Sequence, residues 1–297
     1  RKGKRSATVA ERGGSGRGVA RKVAMGKSRN SAERLDPKAD DTFDGVTVDA
    51  FHRGRFHLVQ PKGRGHRAGL DAMLLAALVP HQASGRLADF GAGAGAAGMA
   101  VASRCPDLDV VLVERAPDMV ACARRSIDLQ QNEDFAGRVS LLDADVAWRG
   151  AARQAAGLAD GCFDHVIMNP PFNSAADRVT PDALKAAAHA MPQAMFEDWL
   201  RSAGAVCKPG GQMSLIARPH SMQEILEACA GRFGGLQLTP VHPRPGSEAI
   251  RVLVTGIKGS RARLAIGPAL CVHDADERAF SARVDQLSNG RAILPRW

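Results

Sequence analysis

The sequence has no apolar run long enough to cross a bilayer. Its longest, residues 72–80, falls well short of the roughly 20 residues that a spanning helix needs. The N-terminus lacks the apolar core of an export signal. Six cysteines, Cys105, Cys122, Cys162, Cys207, Cys229 and Cys271, stand far apart with no C-x-x-C pair. Neither a zinc site nor a disulfide scaffold is suggested, so no metal is expected, and reduced core thiols in a cytoplasmic protein are. No internal repeat is evident. Acidic residues are nearly missing from the first 30 positions, which hold ten Lys and Arg against Glu11 alone.

What is present is ordinary for a globular chain. At 297 residues and 45% hydrophobic, there is material for one α/β domain of about 200–250 residues with extensions. The net charge of +9 belongs to the tail: removing its ten basic residues and one acidic residue from the totals of 40 and 31 leaves 30 of each over residues 31–297. Residues 1–42 are rich in Gly, Ser, Arg and Lys and nearly free of large apolar side chains, so they are expected to be a disordered basic tail. Such charge suits a salt-sensitive, nonspecific hold on RNA phosphates. A solvated extension and an organellar targeting segment have the same composition.

Over residues 43–61, Val46, Val48, Phe56 and Leu58 with Gly45 and Gly54 between them predict a β-hairpin. A polar, glycine-rich loop from Gln60 through Arg67 to Gly69 and an apolar helix over 71–79 follow. Residues 86–98, with Asp89, Gly91, Gly93, Gly95 and Gly98, read as a strand, a glycine turn and a small-residue helix that ends near Arg104. Glycines let backbone approach a ligand closely. Because Gly93 to Gly98 spells G-x-G-x-x-G, this stretch alone fits a dinucleotide site equally well.

The second strand, over 110–113, ends in Glu114, about 20 residues on, where a nicotinamide or an S-adenosylmethionine protein would place an acid on ribose hydroxyls. Val120, Ala123 and Ile127 mark an amphipathic helix. The third strand, over 139–142, ends in Asp143-Ala144-Asp145, from which one carboxylate can accept from an adenine amine.

The stretch with the most chemistry is the fourth strand, which runs through Val166, Ile167 and Met168 into Asn169-Pro170-Pro171-Phe172. Two prolines forbid further ladder pairing, so the chain must turn at the strand's carboxyl end, the edge where open α/β sheets bind ligands. Asn169 and the carbonyl of Pro170 offer two acceptors to one amino group, and Phe172 offers a flat apolar face. A planar amine, whether nucleobase or glutamine amide, fits that set. A Pro-Pro turn that only caps a strand fits it too.

Beyond it, Thr180-Pro181 reads as the start of a helix, and residues 196–206 as another that stops at Lys208-Pro209-Gly210-Gly211 before a strand over 212–217. Ser221 and Glu224 form a capping box, with Met222, Ile225, Leu226, Cys229 and Phe233 as the buried stripe. Strands over 236–241 and 250–257 pair as the last hairpin. His189 and Trp199 are read as structural, and residues 276–297 as a C-terminal extension with a short helix. The alternation gives an α/β sheet of seven strands, mostly parallel.

Taken in order, the glycine loop, the two acid-ended strands and Asn-Pro-Pro-Phe resemble a class I S-adenosylmethionine (SAM)-dependent methyltransferase. More narrowly, residues 51–80, the Asn-Pro-Pro-Phe loop, and His242-Pro243-Arg244 through Gly259 resemble the bacterial tRNA1(Val) adenine-N6-methyltransferase family, over residues 43–275. The resemblance implies a Rossmann-like sheet in the order 3-2-1-4-5-7-6 with an N-terminal hairpin extension. It implies methyl transfer from SAM to N6 of an adenine in the anticodon loop of a tRNA; with no run long enough to span a bilayer, no membrane partner is expected.

By the same resemblance Asp89, Gly91, Gly93 and Gly95 line the methionine side of SAM, Glu114 its ribose and Asp145 its adenine, while Gln60 and Arg67 hold its carboxylate end. Asn169 and Pro170 grip the target amine and Phe172 stacks on the base, with Pro171 completing the catalytic loop. Guanine-N2 methylation of rRNA, glutamine-N5 methylation of protein and a noncatalytic RNA-binding role remain open on the same motif. The tail and Asn173 depart from the family's pattern.

Overall fold

Short apolar runs separated by glycines and amphipathic segments alternate as strands and helices in the computed structural model, which describes residues 45–62, 67–171, 191–275, 278–294 and 296. The expected hairpin comes first: β1 (Val46–Phe51) and β2 (Phe56–Pro61) pair antiparallel, with Val46 opposite Pro61 and Phe51 opposite Phe56. Then follow α1 (Leu70–Ala76), β3 (Gly85–Phe90), α2 (Ala96–Ala102), β4 (Leu108–Glu114), α3 (Pro117–Ile127), α4 (Glu133–Ala136), β5 (Val139–Asp143), α5 (Gly150–Ala155) and β6 (Phe163–Met168). The rest holds α6 (Met191–Val206), β7 (Cys207–Ala217), α7 (Met222–Cys229), β8 (Phe233–His242), β9 (Arg251–Lys258), the two-residue strands β10 (Ala265–Ile266) and β11 (Leu270–Cys271), and α8 (Ala282–Ser288).

Strands β5, β4, β3, β6, β7, β9 and β8 lie side by side in that order, and among them only β9 runs against its neighbours. Counted from β3, this is the order 3-2-1-4-5-7-6. Strands β10 and β11 add in parallel to the outer edge of β8. Two residues are too few to carry a period, so no sequence pattern announced them. Both faces of the sheet are covered, as parallel strands require. Leu87 and Leu112 point into one cluster with α1 and α2, and Ala88, Phe90 and Val113 into another with α6 and α7.

The C-terminal segment is part of the first cluster, because Val284 and Leu287 are buried in it. It also fixes the hairpin's turn. His52 (φ 49°) and Arg53 (φ 56°) are both left-handed, a backbone that costs an L-residue about 1–2 kcal/mol. They are held by the His52 ring edge-on to Phe56 and by the Arg53 guanidinium 2.8 Å from Asp285 of α8.

Three local expectations differ from the fold. Lys208-Pro209-Gly210-Gly211 does not stop a helix before a new strand: β7 starts at Cys207, and these residues bulge between the pairs Phe163–Cys207 and His165–Gln212. Gly210, at φ 79°, lets the chain bulge and rejoin the ladder. Ser221 makes no capping hydrogen bond; a 3-10 turn over Pro219–Ser221 already leads into α7, and Ser221 itself has helical backbone. Phe233 opens β8 instead of extending the helix stripe. Thr180, Pro181 and His189 lie outside the described residues.

Candidate active site

The ladder brings four strand ends to one edge. Phe90 of β3 sits opposite Val113 of β4 and Met168 of β6, and Glu114 sits opposite Asp143 of β5. The glycine loop, Glu114, Asp145 and Asn169 therefore leave the sheet together, although Asp89 and Asn169 are far apart in the chain.

Gly91, Gly93 and Gly95 have φ of 65°, 57° and 95°, which side-chain-bearing residues rarely adopt. A Cβ at Gly93 would meet nothing within 4 Å, so the loop's outer side is open to a ligand. Its inner side is tied down: Gly93 N–H donates to the Glu114 carboxylate at 2.8 Å, and Gly91 N–H to the Val113 carbonyl at 2.9 Å.

Asp89 lies under the loop, 2% exposed, and accepts the Gly98 N–H at 2.8 Å. Burial pushes its carboxyl pKa up to about 7, and the Glu114 charge adds to the rise while the Gly98 bond opposes it. Glu114 accepts from the Arg115 and Ala116 N–H groups at 2.9 and 2.8 Å as well as from Gly93. A carboxylate has about four acceptor positions, so one remains for a hydroxyl. Asp145 accepts from the Ala147 N–H and from the Arg115 guanidinium, both at 2.8 Å.

Gln60 and Arg67 meet at a residue the motifs did not mark. Asp49 accepts from Gln60 Nε2 at 2.7 Å and from Arg67 at 2.5 Å. Gln60 Oε1 accepts the Ala68 N–H at 2.7 Å, and Thr47, which Arg67 also reaches at 3.0 Å, pairs across the hairpin with Gln60. Reading cross-strand pairs from the hairpin's alternation would have found Thr47; Asp49 needed the folded loop. The hairpin is seated on the glycine loop through Val59, Ala94 and Cys122.

Asn169 follows directly on β6. Its Oδ1 is buried and has no hydrogen-bond partner among the described residues. Pro170 is buried and Pro171 exposed, while Phe172 and Asn173 lie outside the described residues. A buried acceptor left empty costs about 1–3 kcal/mol, and such costs concentrate where a ligand supplies the missing partner. Among the described residues, no group of three or more His, Cys, Asp or Glu could hold a metal ion, and no helix is long and apolar enough to cross a membrane.

The open space above Gly93, the spare acceptor of Glu114, the Asp145 carboxylate and the Asn169 oxygen left without a partner among the described residues fit a cofactor with hydroxyls and an adenine amine, beside a second group that carries N–H. The family described as methyltransferase small domain matches residues 67–238. A tRNA1(Val) (adenine(37)-N6)-methyltransferase of Porphyromonas gingivalis is 26% identical over 213 residues, 70% of this chain and 80% of that protein. A release factor glutamine methyltransferase of Escherichia coli is 32% identical over 87 residues, 29% of this chain and 27% of that one. A solved structure from Agrobacterium tumefaciens, described as a predicted O-methyltransferase, is 50% identical with a TM-score of 0.67 and covers 76% of this chain and 99% of its own.

Proposed function

This chain belongs to the methyltransferase small domain family and is a SAM-dependent methyltransferase, and from that premise we propose that it methylates an exocyclic amine, N6 of adenine in a tRNA, in the cytoplasm. The observation that carries the reading is the buried Oδ1 of Asn169 at the carboxyl end of β6, which has no hydrogen-bond partner among the described residues.

When bound, SAM supplies an electrophilic methyl group on a sulfonium. The residues that would hold it are Glu114 at the ribose, Asp145 at the adenine, Gly91, Gly93 and Gly95 along the methionine, with Asp89 bracing the loop from beneath. Gln60 and Arg67, joined through Asp49, would stand at its carboxylate end.

An exocyclic amine is a poor nucleophile because its lone pair is delocalised into the ring. Asn169 Oδ1 and the Pro170 carbonyl would accept its two N–H groups and turn the nitrogen out of conjugation, which frees its lone pair for transfer. Charge that develops on nitrogen would then be met by two fixed oxygen dipoles, which need no reorganisation at the moment of transfer, and the methylated nitrogen would release its surplus proton to water as the cofactor leaves as a neutral thioether. Pro171 limits the loop's freedom, and Phe172 offers a stacking face. An unpaired base costs little to extrude into such a site.

The P. gingivalis relative, named for adenine-N6 methylation of tRNA1(Val) and covered over 80% of its length, supports adenine as the substrate. The E. coli glutamine enzyme matches only 29% of this chain. The A. tumefaciens protein's description points to oxygen. A hydroxyl acceptor needs a base, however, and the group aimed at this position is a carboxamide, while Asp89 is enclosed under the loop.

The test is transfer from labelled SAM to total tRNA that lacks its own modification, followed by digestion and nucleoside mass spectrometry. N6-methyladenosine is the expected product. N2-methylguanosine would replace the base; label on a 2′-hydroxyl, on release-factor glutamine, or nowhere would overturn the proposal.

A further inference from the structure

Helix α6 buries Phe196, Leu200, Ala203 and Val206 against the sheet. Met195 and Trp199, one turn apart, flank that stripe and are half-buried. The Trp199 indole packs at the margin of the second core cluster. Its benzo edge, Cη2, Cζ3 and Cζ2, lies on Gly91, where a Cβ would collide with Cη2. Glycine at position 91 thus serves two ends: it permits φ of 65°, and it makes room for an aromatic ring at the mouth of the glycine loop.

That mouth is beside the orphaned acceptor. Gly91 follows Phe90 and Asn169 follows Met168, and Phe90 and Met168 are partners in the parallel ladder. Gly91 and Asn169 therefore each stand one residue past the ends of β3 and β6, adjoining strands that run about 4.8 Å apart. An indole resting on Gly91 thus stands about one strand spacing from Asn169.

We infer that Trp199 is an aromatic wall of the amine site, which positions the flat face of a purine and selects it over the flexible carboxamide of a glutamine side chain. The inference rests on the proposed amine chemistry at Asn169 and deepens it. A base whose amino group is held by Asn169 and Pro170 has its edge occupied, so only its faces remain to fix its tilt. A rigid indole supplies such a face at little conformational cost. Stacking a base on an aromatic side chain is worth roughly five- to a hundredfold in affinity. A glutamine amide has little face to offer and gains little from the ring.

The test compares wild type with Trp199→Leu and Trp199→Phe, on unmodified tRNA and on a release factor, with SAM affinity measured by calorimetry. Trp199→Leu is expected to lower kcat/KM on tRNA by about tenfold or more with SAM affinity within twofold, and Trp199→Phe to recover most of the loss. Trp148 and Trp297 are the other two tryptophans, so a Trp148→Phe/Trp297→Phe protein reports on Trp199 alone. Its fluorescence should be quenched by adenosine monophosphate and not by glutamine amide.

Wild-type activity on tRNA that Trp199→Leu leaves intact, or a loss of SAM affinity equal to the loss of activity, overturns this inference and spares the proposed function. Wild-type transfer to the release factor and not to tRNA overturns both.

Discussion

Removing the carboxamide of Asn169 should make the protein slower and no less stable. The Oδ1 is buried without a partner among the described residues, and an empty buried acceptor costs about 1–3 kcal/mol. Asn169→Ala relieves that cost and leaves a small void worth on the order of 1 kcal/mol against it, for a net change between about zero and 2 kcal/mol in favour of the variant. At about 2–4 °C per kcal/mol for a domain of this size, the melting temperature should stay level or rise by up to about 8 °C. The same substitution removes a fixed dipole aimed at the developing charge, and loss of one such donor or acceptor costs about 2.7–4 kcal/mol, roughly 10² to 10³ in kcat. Thermal melts, SAM calorimetry and initial rates on tRNA measure all three quantities, with SAM affinity expected within a few-fold of wild type. A melting temperature several degrees lower would mean that Asn169 makes a structural bond, and an unchanged rate would remove it from the mechanism.

Asp89, raised from 3.8 to about 7, binds a proton in the folded state that the unfolded chain has lost. Its contribution is therefore present below about pH 4 and is lost as pH climbs through about 7. Asp89→Asn should gain in melting temperature relative to wild type between pH 5 and pH 8, and a constant gap would refute the assignment. Gly98→Ala places a Cβ in collision with Leu112, 3.0 Å from Asp89 Oδ2 and 3.1 Å from Val110. Overpacking of about 1–3 kcal/mol should lower its urea midpoint, whereas an unshifted midpoint would show that Leu112 yields freely. Asp49→Ala frees Gln60 and Arg67 and should weaken SAM binding on the order of tenfold, about the loss of one charge-assisted bond; unchanged affinity would detach the hairpin from the cofactor. Deleting residues 1–30, ten basic residues against one acid, should flatten the salt dependence of RNA binding. A parallel slope would mean that the tail does not touch RNA.

Local patterns carried the sheet. Apolar runs of strand length between amphipathic stretches determined β3, β4, β5 and β6, and turn residues marked where each ended, because both are properties of neighbouring residues. Failures came where a local signal met a tertiary one. The Pro-Gly-Gly of β7 reads as a stop, yet pairing with β6 on both sides of the bulge, at Cys207 and again from Gln212, carries the strand through it. Ser221 and Glu224 spell a cap, yet the preceding 3-10 turn had already set the helical backbone.

The sequence by itself marked the candidate site residues, Asn169 with its prolines, the three glycines, Asp89, Glu114 and Asp145, each near the end of a strand legible in its own few letters. Only the tertiary structure decided what those residues do for one another. Asp89 becomes a buried brace because α2 closes over it, Asp49 becomes a hub because a loop folds back on its hairpin, and Trp199 meets Gly91 because α6 packs on one face of the sheet. Hydrophobic periodicity acts over a few residues and is written in the chain, whereas desolvation and close approach depend on neighbours far along it and arise only when the layers pack.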